Sequence, residues 1–212
     1  MCRPTKIDNW IIEWCIKNLS VTEFRILVVI WNRFITAMQA IMNDGYFLSE
    51  GIEISYKFLR ENANIKYTIN DIDVIIEKLA KQFEEVFIVE KNEDDSGYII
   101  YDNEEFFEGL VERVGDYTIL DVEVIQKLSS KYDLYLYYKI RRFSKSNWCA
   151  INEKDINEYM SNQMTLRSHK QYLNKSSKKL NDLGIENRIE TTIKNRKAIL
   201  LKVIFSKQDL KF

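Results

Sequence analysis

The chain has a single proline, Pro4, and only six glycines in 212 residues. So few turn-formers exclude loop-rich sandwiches and glycine-lined phosphate cradles, and favour helices joined by short connections. There is one histidine, His169, so a Ser-His-Asp or Cys-His site has only one place to be built. The three cysteines, Cys2, Cys15 and Cys149, lack metal-ligand spacing and are odd in number, which predicts reduced thiols. No Walker lysine loop, paired-glycine dinucleotide turn or C-x-x-C occurs. The longest apolar run, residues 26–31, is far short of the ~20 residues of a membrane span. The opening Met1-Cys2-Arg3-Pro4-Thr5-Lys6 is not followed by the apolar core of a signal peptide. The expectation is a cytoplasmic protein that is not an enzyme, touches no membrane, and needs no cofactor or metal.

What is abundant is apolar and charged. At 46% hydrophobic and 13% aromatic the chain can bury a real core, and its length admits two domains of about 100 residues. The net charge of −1 conceals an asymmetry. Residues 1–125 hold 12 Lys and Arg against 24 Asp and Glu, a balance of −12, whereas residues 126–212 hold 19 against 8, a balance of +11. Phosphates respond to the local field rather than to the average, so a basic module carried by an acidic one points to a polyanionic partner. The acidic runs Glu93-Asp94-Asp95 and Asp102-Asn103-Glu104-Glu105 read as solvated turns, because a hard-cation site needs carboxylates converging from fixed elements.

Periodicity organises the chain twice over. Ser20-Val21-Thr22-Glu23 is a capping box ahead of an apolar helix. A strand over 47–55 and a short helix over 56–62 follow. Asn70 or Asp71 is then predicted to cap a helix to about 83, with Ile72, Ile75, Ile76 and Leu79 inward. Residues 86–89 and 98–101 form a hairpin around a polar turn. The second pass has a helix over 128–143, with Tyr132, Leu136, Ile140 and Phe143 on one face, and a strand over 148–151. Asn152, helped by Asp155, caps a helix to Met160, and Thr165 caps a longer one to Leu183, closed by Gly184. A hairpin over 185–193 and 198–205 ends the pattern. Leu19-Ser20 and Arg33-Phe34 recur as Leu128-Ser129 and Arg142-Phe143, each 109 residues on. Helix, strand, helix, helix, hairpin is the order of a winged helix. The predicted fold is therefore α+β, mostly helical, with two tandem winged-helix domains: an acidic one over 1–118 and a basic one over 119–212.

In a helix-turn-helix pair the second helix enters the major groove. On the helix from Thr165, the residues Leu166, His169, Leu173, Leu180 and Leu183 should face the core, with Ser176 and Ser177 near it. The opposite face presents Arg167, Lys170, Gln171, Asn174, Lys175 and Lys178. Arg suits guanine and Gln or Asn suit adenine, while Lys more often anchors on phosphate. Lys194, Arg196 and Lys197 sit at the hairpin tip, where a wing reaches a neighbouring backbone or minor groove. His169 reads as a packed core histidine.

Ser130-Lys131-Tyr132-Asp133-Leu134-Tyr135-Leu136-Tyr137 resembles the S-K-Y-x-x-x-L-Y opening of the second winged helix in plasmid replication initiators of the iteron-binding Rep class. Tyr172, Leu173, the Asp182-Leu183-Gly184-Ile185 turn and the closing strand follow that family's layout. The resemblance covers residues 120–212; the first domain shares only topology. It implies sequence-specific binding of double-stranded DNA at origin repeats, a homodimer formed through the first domain, and contacts with host replication proteins. The acidity of the first domain departs from the family and puts its backbone-contacting role in doubt. Rolling-circle nicking would need a histidine-rich metal motif near a tyrosine, and none is present. The alternatives are a phage- or plasmid-encoded winged-helix transcriptional regulator, or a protein-interaction module that binds no DNA. The exposed Gly-aromatic motifs of common RNA readers are missing.

Overall fold

The computed structural model describes residues 4–44, 51–102, 117–194 and 197–206, with side-chain surroundings at all of these but 38–44, 102 and 197. It is an α+β protein in which helices are joined to small antiparallel sheets. Two compact units divide the chain: residues 1–5 with 22–116, and residues 6–21 with 117–212. Among the described residues no helix is long and apolar enough to cross a membrane.

Strand β1 (Thr5–Asp8) and helix α1 (Asn9–Asn18) open the described chain. The first unit then runs α2 (Val21–Asp44), β2 (Ile52–Ser55), α3 (Tyr56–Ala63), α4 (Ile69–Gln82), β3 (Phe87–Lys91) and β4 (Gly97–Asp102). The start of the strand predicted over 47–55 lies partly outside the described residues. Strand β4 sits between β2 and β3, antiparallel to both. Ile72, Ile75, Ile76 and Leu79 are the buried face of α4, as their spacing predicts. Its cap, however, is Thr68 rather than Asn70 or Asp71. The Thr68 hydroxyl accepts from the Asp71 backbone N–H at 3.2 Å and the Asp71 carboxylate accepts from the Thr68 N–H at 3.0 Å. Asp71 thus serves the capping box from the third helical position. Asp73 accepts hydrogen bonds from the hydroxyls of Tyr56 and Tyr98, each at 2.5 Å, and pairs with Lys91, tying α3, α4 and the hairpin together.

The second unit adds β5 (Tyr117–Leu120), α5 (Val122–Lys127), α6 (Lys131–Arg142), β6 (Trp148–Ile151), α7 (Glu153–Met160), α8 (Leu166–Asp182), β7 (Asn187–Lys194) and β8 (Lys197–Phe205). Its three-stranded sheet again places the last strand in the middle, in the order β6-β8-β7. Serine 130 and Asp133 form a capping box on α6, and Asn152 and Thr165 cap α7 and α8 through the N–H groups of Asp155 and Ser168.

The order strand, helix, helix, strand, helix, helix, hairpin occurs twice, and its details repeat. Helices α3 and α7 are both eight residues long and end on a left-handed residue, Asn64 and Ser161. Four residues later a threonine, Thr68 or Thr165, caps the next helix. These equivalent positions are 97 residues apart, against 110 at the start of the preceding helices, Val21 and Lys131. Helix α2, at 24 residues, is twice as long as α6, at 12, which accounts for nearly all of that difference.

The compact units divide at residues 5/6, 21/22 and 116/117. Residues 6–21, expected in the acidic unit, belong to the basic one. Helix α1 buries Ile11, Ile12, Cys15 and Ile16. Its polar residues are bound within the same unit: Thr118 donates to Asn9 at 2.5 Å, Tyr138 donates to Glu13 at 2.7 Å, Arg142 pairs with Glu13, and Lys17 pairs with Glu158. With α1 reassigned, the first unit carries 10 Lys and Arg against 20 Asp and Glu, and the second 21 against 12, so the asymmetry persists at −10 and +9. Ile12 is fully buried, and Ile12→Ala should cost about 2–5 kcal/mol. Amide exchange on the full chain should speed up in α6 and α7; acceleration confined to α4 and its hairpin would return α1 to the other unit.

Candidate nucleic-acid interface

Helix α8 is seated by a buried stripe of Leu166, His169, Leu173, Ser176, Ser177 and Leu180. Its first turn is closed by Thr165, which accepts from the Ser168 N–H at 3.3 Å, and by Glu153, whose carboxylate accepts from the Leu166 N–H at 2.7 Å. Gly184, at φ +81°, supplies the left-handed residue that ends it. Opposite the stripe, Arg167, Gln171, Asn174, Lys175 and Lys178 are exposed and Lys170 is partly so. Six of the nine residues selected from the sequence therefore share one solvent face of one helix. Lys194 is exposed at the end of β7, with its backbone paired to Lys197 across the hairpin. Arg196 and the Lys197 side chain lie outside the described residues.

Polar groups beneath the helix set its position. His169 is completely buried, with Nδ1 2.8 Å from the Tyr132 hydroxyl and Nε2 2.8 Å from Asn157 Oδ1. Asn157 Oδ1 also accepts from the Met164 N–H at 2.8 Å, and its amide nitrogen donates to the Met164 carbonyl at 3.0 Å. Since that oxygen can only accept, Nε2 donates to it, while the contact between Nδ1 and the Tyr132 hydroxyl fits a proton on either atom. Burial pushes the His169 pKa below the ordinary histidine value, against a smaller opposing pull from Glu153. Two turns further along α8, the Ser176 hydroxyl donates to Asp133 at 2.6 Å and Lys179 pairs with the same carboxylate at 3.2 Å. Burial alone would raise the Asp133 pKa. Hydrogen bonds from Ser176, Ser129 and Ser130, with the Lys179 charge, outweigh it and hold the carboxyl below its usual value.

Sequence reasoning missed three features here. Tyr172 is 44% exposed beside the basic face, its ring stacked on Tyr132 at 4.9 Å. Ser176 packs, as expected, but it also bonds a buried carboxylate. Phe143, read as part of a buried face, is 37% exposed because α6 ends at Arg142 and Phe143 is its C-cap. The Ser130-x-x-Asp133 box was a visible signal for the second feature; its link to Ser176 was not, being 43 residues distant.

The first unit supplies a contrast. Helix α4 holds the same place in its topology as α8, yet its exposed residues include Ile69, Asn70, Asp71, Val74 and Glu77, and Lys78 is paired with Glu23. It has no basic face of the kind α8 presents.

Comparison of the chain with protein-family models gives no match, nor does comparison with curated proteins. The chemistry of the side chains is thus the basis for assigning a role. Cys15 and Cys149 are buried free thiols, with burial raising both pKa values, that of Cys149 to about 12. Neither is a reactive thiolate. Among the described residues no cluster of three His, Cys, Asp or Glu side chains is set to hold a metal ion.

Because His169 binds its proton more weakly in the folded chain than the ordinary 6.5, unfolding takes up a proton as the pH falls. The stabilisation is complete above about 6.5 and is lost as the pH descends through the lower folded value. Denaturant unfolding between pH 8 and 5 should show that loss, and His169→Gln should flatten it. A profile that keeps its slope in the variant would assign the titration to another group.

Proposed function

We propose that both units are winged helices and that the second reads duplex DNA with α8 in the major groove. One observation carries this reading. A helix placed second in a helix-turn-helix presents Arg167, Lys170, Gln171, Asn174, Lys175 and Lys178 on a single exposed face, in a unit with nine excess positive charges. The mixture suits both tasks of a DNA reader. Lysines neutralise phosphates and fix the register, while planar Arg, Gln and Asn groups make bidentate bonds to base edges. The β7–β8 hairpin, with Lys194 at its end, acts as the wing.

The opening of α6, residues 130–137, supports a more specific role. Its likeness to plasmid replication initiators makes initiation at repeated origin sequences the function proposed for the whole chain. The acidic unit, whose corresponding helix α4 lacks a basic face, is assigned to protein contacts: a second copy of the chain and host replication proteins. A helix bordered by Asp71 and Glu77 would be repelled by phosphate.

The full chain is the right reagent for the test, since a fragment starting near 120 would lose α1. Titration of a random-sequence duplex by fluorescence anisotropy across a salt series should give a log–log slope of several units, at ~0.9 per phosphate contacted. Lys175→Gln should reduce that slope by about 1. Absence of binding at low salt would overturn the reading. Footprinting on a replicon that carries the gene should protect repeated sites at the origin; protection confined to a promoter would instead identify a transcriptional regulator.

A further inference from the structure

Two adjacent residues of α6 hold α8 by hydrogen bonds seven residues apart. The Tyr132 hydroxyl bonds His169, and the Asp133 carboxylate takes the Ser176 hydroxyl and the Lys179 ammonium. We propose that Tyr132 and Asp133 are positioning residues for base readout: they fix the rotation and axial register of α8, and so decide which base edges Arg167, Gln171 and Asn174 meet. The inference rests on the DNA-reading role of α8 and specifies where that helix obtains its discrimination.

The apolar part of the seat does not define a register well. Leu166, Leu173 and Leu180 recur every seven residues, and apolar burial is non-directional. A stripe that repeats itself tolerates sliding and small rotations. Polar contacts do not, which is why a single polar residue in an apolar helix seam specifies register. Here the two contacts also differ in kind. An imidazole bonded to a phenol cannot exchange places with a serine bonded to a carboxylate, so only one alignment satisfies both.

Asp133 makes departure from that alignment expensive. It is 4% exposed and also accepts from the backbone N–H groups of Ser129 and Ser130, at 2.9 and 3.1 Å. A shift of α8 that withdraws Ser176 and Lys179 leaves a buried carboxylate short of partners, and such groups carry a steep penalty. At the other end, Asn157 holds both backbone groups of Met164 and also His169, so the turn entering α8 is pinned by the same network.

Register matters unequally to the two parts of DNA binding. A bidentate bond to a base edge fails when distance or angle departs modestly from its optimum. Attraction between lysines and phosphates declines gradually with separation. Loosening the seat should therefore reduce sequence discrimination and spare general attraction to DNA.

Selection by the full-length wild-type chain from duplexes randomised over about 20 base pairs, two half-sites of a helical turn each, provides the probe. Anisotropy titrations then compare the enriched duplex with the unselected pool. Tyr132→Phe and Ser176→Ala should bind the pool within about twofold of wild type yet lose roughly tenfold in the enriched-to-pool ratio, the size of one lost base contact. Lys178→Gln should weaken both duplexes alike and preserve the ratio. Asp133→Asn is the more severe change and is scored only if its circular dichroism matches wild type; the other two variants leave the carboxylate charge in place. Wild-type ratios in Tyr132→Phe and Ser176→Ala would overturn the positioning role while leaving DNA reading intact. A wild-type chain that enriches no sequence and ignores the pool at low salt would remove the DNA-reading function, and this inference with it.

Discussion

Helix α6 is buried without a break from Asp133 to Arg141, although that stretch contains an aspartate, a lysine, an arginine and three tyrosines. A helix hidden on every side must be enclosed, and each polar group on it must find a partner or destabilise the fold. Lys139 pairs with Asp155 at 2.9 Å and lies over the rings of Tyr135 and Tyr159. Arg141 donates to the Ile119 carbonyl, Tyr137 accepts from the Asp121 N–H, and Tyr138 donates to Glu13. Those partners come in turn from α7, β5, the cap of α5 and α1. Satisfying one helix thus recruits most of the unit, including a segment from the far N-terminus.

Helix α8 is held by that arrangement. Tyr132 and Asp133 begin the buried helix and bond the underside of α8, so the residues on its upper side are held by the most enclosed part of the unit. Side chains on such a rigid element are placed more accurately than those on a loop. The acidic unit shows the same order of elements, the same left-handed turn and the same threonine cap, but a different exposed face on α4. The same order of elements thus carries two different surfaces, and a role has to be argued from the surface.

Much of the architecture was legible because local chemistry and tertiary packing agree there. The caps at Asn152 and Thr165, the stripe through Leu166, Leu173 and Leu180, and the two hairpins each follow from periodicity and turn chemistry within a short window. Periodicity misled where it was carried past a helix end, as at Phe143. It was silent on α1 and β5. Strand β5 is four residues long, and α1 has no side-chain hydrogen bond at its cap; both are stabilised by partners more than 100 residues away. His169 could be recognised as a core residue, but its hydrogen-bond partners Tyr132 and Asn157 are brought to it only by folding.

The sequence by itself determined the helices α7 and α8 with their caps, the two hairpins, the division of charge between the two halves, and which residues share the exposed face of α8. Hydrogen bonding within a few residues and alternation of apolar side chains are local properties, and charge is a sum over composition. Tertiary structure decided that α1 joins the basic unit, that Asp133 is a buried anchor rather than a surface charge, and that α8 is held by polar contacts as well as leucines. Those outcomes depend on which distant groups can satisfy a buried charge or hydroxyl, and that is settled by three-dimensional proximity.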